Sequence, residues 1–159
     1  MSEQTTQEMR YRLEIRQGAD QQMNALVVKA RELIDGLLVM EKYPGQWNMG
    51  PTQMSNLLNV CCETGSVEVV IGYVQYQIGR DKGRKGRPES WAWQGFGEQL
   101  IEQLQARRPE ARALVSNAVR KTGHTAGDTE EDHVWMLLVR QYVGHLRRYF
   151  TYKRPKKEE

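Results

Sequence analysis

Apolar residues recur three and four positions apart along most of the chain, the spacing of one helical face. From Asp20 to Tyr43 that face holds Met23, Leu26, Val27, Ala30, Leu33, Ile34, Leu37 and Leu38, and Tyr43-Pro44-Gly45 ends it. A second helix starts at Gly50-Pro51-Thr52, where proline suits the first turn, carries Met54, Leu57, Leu58 and Cys61, and stops at Gly65. Ser66 reads as the N-cap of a third helix, from Val67 to about Gly79. Its β-branched composition also suits a strand. However, Val67, Val70, Ile71, Val74 and Ile78 keep helical spacing between helical neighbours. Arg80 to Ser90 is the least helical stretch. A fourth helix covers Gln94 to Arg107, with Phe96, Leu100, Ile101 and Leu104 inward, and a further helix follows Pro109 to Lys121. After a Gly/Thr/His loop, the last helix begins at Asp128-Thr129 and buries Trp135, Leu138, Val139, Tyr142, Leu146, Tyr149 and Phe150. The pattern predicts an all-α, single-domain helical bundle of five to six helices over residues 19–154. A flexible segment, residues 1–18, precedes it, and a charged tail, residues 155–159, follows.

The 159 residues fit one domain able to bury a core without staples. A hydrophobic fraction of 39% and a mean hydropathy of -0.72 suit a helical protein with a large charged surface. No window approaches a membrane span, and the polar N-terminus lacks the apolar stretch of a secretory signal. The expectation is a soluble, cytoplasmic protein. Cys61 and Cys62 are adjacent, which is not a zinc spacing, and they read as reduced residues on a buried helix.

Candidate chemistry is sparse. A histidine ligand pair on one helix face needs a spacing of three or four, which His124, His133 and His145 do not have. Asp128, Glu130, Glu131 and Asp132 read as dipole partners and solubilising charge at a helix N-terminus rather than as catalytic carboxylates, which need burial or pairing. There is no nucleophile elbow and no phosphate loop, and no strand-to-helix context surrounds Gly79, Gly83 and Gly86. The expectation is a protein that is not an enzyme, with no cofactor and no metal site.

The net charge of +3 is a mild bias towards anionic partners, and its distribution says more. In Arg80-Asp81-Lys82-Gly83-Arg84-Lys85-Gly86-Arg87, five residues are basic and glycines loosen the backbone, so Arg80, Lys82, Arg84, Lys85 and Arg87 are first-choice phosphate contacts. Trp91 and Trp93 follow. They are expected in the core, with stacking on an unpaired base as the alternative. Arg147, Arg148, Lys153 and Arg154 at the end of the last helix form a second basic cluster, continued by Lys156 and Lys157.

The order of segments is also suggestive: Thr52-Gln53-Met54-Ser55-Asn56-Leu57-Leu58 after a long amphipathic helix, then Tyr76-Gln77-Ile78-Gly79-Arg80, then Tyr142-Val143-Gly144-His145-Leu146-Arg147-Arg148-Tyr149-Phe150. This resembles the small helical (Csm-type) subunit of type III CRISPR effector complexes, over roughly Leu33 to Tyr152, with Thr52, Gln53, Tyr76, Gly79 and Arg80 at matching positions. The family's arginine after the first motif falls near Ser55 or Asn56 here, and the loop after Arg80 is unusually basic and glycine-rich. The resemblance implies a non-catalytic subunit with several self-stacking copies. It would hold guide RNA and target RNA by their backbones and bridge other effector-complex subunits, while base pairing reads sequence. Two rival readings are a helical protein–protein adaptor and a helical DNA-binding regulator. The regulator would present the third helix to DNA, where Val69, Val70 and Ile71 cannot read bases.

Overall fold

The structure is a computed structural model that describes residues 2–39, 49–83, 93 and 95–154. It contains helices α1 (Glu3–Gln21), α2 (Met23–Val39), α3 (Pro51–Glu63), α4 (Val67–Gly83), α5 (Phe96–Thr122) and α6 (Glu130–Lys153), and no strand among the described residues. The fold is an all-α bundle. Helix α6 is its hub, packed against α2, α3, α4 and α5, while α1 lies along α5. Neighbours on several sides explain why α6 buries Val134, Met136 and Val143 besides the face read from its sequence. Each fully buried apolar side chain contributes ~1.5–3 kcal/mol.

Three elements differ from the sequence expectation. The segment expected to be flexible forms α1, with Ser2 as N-cap accepting from the Thr5 N–H at 3.2 Å and with Tyr11, Ile15 and Ala19 buried. One apolar residue per turn is too narrow a stripe to declare itself. Tertiary partners supply the rest: the Tyr11 hydroxyl donates to Glu130 at 3.1 Å, Arg12 pairs with Glu130 at 3.0 Å, and Lys121 reaches Glu14 at 3.3 Å.

Helix α5 runs unbroken through Pro109 rather than dividing there. Proline removes one helix hydrogen bond, but Pro109 lies on the exposed side of the helix. Glu131 of α6 bridges the site, taking Arg108 Nε at 3.4 Å and Arg112 Nε at 3.1 Å. The carboxylates at the start of α6 are therefore clasps to α1 and α5 rather than free solubilising charge.

Helix α4 continues to Gly83 and takes Arg80, Asp81 and Lys82 out of the expected loop. The reason is Asp81, which is buried and accepts the Trp93 N–H at 2.7 Å. Gly97 allows α5 to approach α4 closely there: a Cβ at Gly97 would sit 2.6 Å from Ile78 Cγ1. Val70 and Ile71 are buried on the apolar face read from the sequence, and of the three valine and isoleucine residues weighed against DNA reading only Val69 is exposed.

Candidate nucleic-acid interface

Side chains of α2 and α6 form an open groove of about 740 Å³ lined by Val27, Arg31, His145, Arg148, Tyr149, Tyr152 and Lys153. The α2–α6 packing sets its floor. The Tyr149 hydroxyl donates to Asp35 Oδ1 at 2.8 Å and so spans the two helices. The Tyr149 phenol is held above its ordinary value first by that hydrogen bond, then by burial and by the Asp35 charge, with Lys153 opposing. The Arg31 guanidinium and the Lys153 ammonium each lie 5.8 Å from the centre of the Tyr149 ring. Tyr152 sits one turn further along α6, its ring 6.1 Å from that of Tyr149, and is 79% exposed.

His145 completes the wall as a neutral ring. Its pKa is lowered first by burial and then by the neighbouring Arg148 charge. Arg148 Nη1 lies 3.4 Å from His145 Nδ1, and a guanidinium can only donate, so Nδ1 is the acceptor. The proton then sits on Nε2, which points at the Met23 sulfur 3.0 Å away.

The described residues of the two basic clusters reach the same end of the bundle. Gly97 at the start of α5 abuts Ile78 of α4, Gly36 of α2 lies beside Gln99 of α5, and Asp35 of α2 bonds Tyr149 of α6. Arg80 and Lys82 are exposed in the last turns of α4, and Arg147, Arg148, Lys153 and Arg154 are exposed at the end of α6. Arg148 and Lys153 enter the groove, whereas Arg147, Arg154, Arg80 and Lys82 do not line it. Arg84, Lys85, Arg87 and Trp91 and the tail 155–159 lie outside the described residues. Trp93 is in the core, edge-on to Tyr73 at 6.0 Å, and cannot stack on a base.

Charge pairing distinguishes this end from the other. Arg12, Arg108, Arg112 and Lys121 are held by Glu130, Glu131 or Glu14 around α1 and the start of α6. Arg107, buried in the core, lies 3.2 Å from Glu110, which also holds Lys29 at 3.1 Å. Among the described residues, no carboxylate lies within ion-pair distance of Arg31, Arg80, Lys82, Arg147, Arg148, Lys153 or Arg154. Basic residues there also favour the C-terminal dipoles of α4 and α6, but that effect does not call for an exposed tyrosine pair.

Sequence reasoning missed Arg31 and Tyr152 and assigned Tyr149 wholly to the core. Tyr149 and Tyr152 are three apart, with Arg148 and Lys153 beside them, which marks a basic-aromatic helix end. Nothing in the sequence places Arg31 next to it. Of the other candidates, His124 packs 4.8 Å from the Tyr11 ring, Cys62 is exposed, and burial pushes the Cys61 thiol up to about 12, with the neighbouring Cys62 second. Compared with known protein families, with curated proteins and with solved structures, the chain matches none.

Proposed function

We propose that this chain is a non-catalytic RNA-binding subunit of an RNA-guided complex of the type III CRISPR kind. On this reading it holds the backbone of guide or target RNA without reading sequence and bridges neighbouring subunits. The observation that carries the reading is the α2–α6 groove: two tyrosine rings 6.1 Å apart, one of them largely exposed, flanked by Arg31, Arg148 and Lys153 with no carboxylate partners among the described residues. Cations of this kind contact phosphates, and an exposed ring accepts any unpaired base. The resemblance of the Thr52, Tyr76 and Tyr142 segments to the small-subunit family supplies the biological setting.

The adaptor reading draws on a different surface, the outer face of α4, where Val69 and Tyr76 are exposed.

Fluorescence anisotropy with a labelled single-stranded RNA tests the groove. Replacing Tyr152 by Ala is expected to weaken binding by ~1–3 kcal/mol, the worth of one stacked base. Arg31→Ala, Arg148→Ala and Lys153→Ala should each lower the slope of log K against log salt by about 0.7 on single strands. An unchanged slope in the triple variant would reject the groove. Mild affinity purification from the native host tests the setting: short guide RNAs with stoichiometric partner proteins are expected, and proteins without RNA would overturn it.

A further inference from the structure

Helix α4 has two unlike faces. Val67, Val70, Ile71, Val74 and Ile78 are buried in the bundle. On the outer side, Val69, Gly72, Tyr76 and Gly79 follow one another at spacings of three, four and three, and all four are exposed. At 3.6 residues per turn they fall within an arc of about 80°, which is the a/d seam of a coiled coil. Val69 is 54% and Tyr76 is 66% exposed, and a Cβ at Gly72 or Gly79 would meet nothing within 4 Å. Glycine weakens a helix interior more than any residue but proline, and none of the described residues uses the space these two leave.

The seam is complementary to itself. When a second α4 is laid antiparallel about a two-fold axis at Val74, Val69 falls opposite Gly79 of the second copy, and Gly72 falls opposite Tyr76. Each large side chain thus meets a glycine gap in the facing helix. The flanking charges agree. Glu68, at the acidic start of the helix and 68% exposed, comes beside Lys82 at the basic end of the second copy, and the symmetry repeats the pair. A parallel copy would leave Glu68 and Lys82 at opposite ends of the seam and oppose tyrosine to tyrosine. Steric fit and charge therefore select the same partner and the same direction.

We propose that the outer face of α4 binds a second copy of this chain, antiparallel and two-fold symmetric, with Tyr76 and Val69 seated against Gly72 and Gly79 of the other copy. The contact is isologous and closes at two chains. A single helix pair buries less than a standard interface of about 1,600 Å², so the dimer is weak and concentration-dependent. It does not depend on the RNA-binding reading, because the groove residues of α2 and α6 take no part. It does engage Lys82, which leaves Arg80 as the phosphate candidate of that helix end.

Sedimentation velocity over a concentration series is the test. The wild-type protein is expected to pass from monomer to dimer and no further. Gly72→Leu fills the gap with a better helix former, so the monomer stays folded by circular dichroism while dimer affinity falls at least ~10-fold. Glu68→Lys and Lys82→Glu each place like charges together, and each should dimerise more weakly than wild type. Mixed together, those two variants restore both opposite-charge pairs and should form a heterodimer tighter than either homodimer. Arg108 loses only its 4.0 Å contact with Glu68 in the first variant and keeps Glu131. A wild-type chain that is monomeric at every concentration would overturn the proposal. So would assemblies that grow past two, or charge variants that dimerise as wild type and gain nothing on mixing.

Discussion

Asp81 was the single acidic residue diluting a basic run, and the structure gives it a structural task that can be tested by substitution. It is 3% exposed, and its Oδ2 accepts the N–H of Trp93, itself 2% exposed, at 2.7 Å. The bond ties together the two ends of the stretch carrying Arg84, Lys85 and Arg87. A hydrogen bond to a charged group contributes ~1.5–3 kcal/mol, and a buried donor left without a partner costs ~1–3 kcal/mol. These figures overlap rather than add, because both describe the same Trp93 N–H. Against them, an acid near a helix C-terminus is unfavourable by ~0.3–1 kcal/mol. Alanine is also the better helix former by less than about 0.7 kcal/mol. The balance predicts that Asp81→Ala lowers stability by ~0.5–2.5 kcal/mol. At ~2–4 °C per kcal/mol for a chain of this size, Tm should fall by ~1–10 °C. Asp81→Asn keeps an oxygen acceptor but not the charge, and should lose about half as much. Urea denaturation followed by circular dichroism measures both. A loss below ~0.5 kcal/mol for Asp81→Ala, or an equal loss for the two variants, would refute the clamp.

Two further outcomes follow from individual contacts. Arg140 donates from Nε to the Cys61 carbonyl at 2.8 Å and from Nη2 to the Thr64 carbonyl at 2.9 Å, capping α3 from α6. Arg140→Ala is therefore expected to cost ~2 kcal/mol in urea denaturation, while Arg140→Lys, which cannot make both bonds together, recovers less than half. Because the folded pKa of His145 is lowered, its contribution to stability is fully present above the unfolded value of about 6.5 and is lost as pH falls through the folded value. Thermal melts between pH 7 and pH 5 should then show an acid-side loss that is smaller in His145→Gln, and identical slopes would dismiss the neutral-ring assignment.

Local pattern was enough for α2, α3, α6 and α4 as far as Gly79, because each carries its apolar residues on one face at helical spacing and is punctuated by proline, glycine or a serine cap. The Ser66 cap is an instance: its hydroxyl accepts the Val69 N–H at 3.4 Å. The all-α class followed from the same periodicity. The basic end of α6 was also legible, since Arg147, Arg148, Lys153 and Arg154 stand together in the chain.

What the tertiary structure decided were matters of partnership between distant segments. Helix α1 is too polar to predict itself, and it is ordered by burial of Tyr11, Ile15 and Ala19 and by Glu130, more than a hundred residues away. Helix α5 crosses Pro109 because Glu131 holds the turns on both sides of it. Arg80 and Lys82 became helical because Asp81 found a buried N–H on Trp93. The groove itself joins Arg31 to Tyr149, Tyr152 and Lys153 across two helices. A one-dimensional pattern records which face of a helix is apolar. It does not record which helix that face will meet, and pairing of charges, tolerance of a proline and assembly of a site all depend on that meeting.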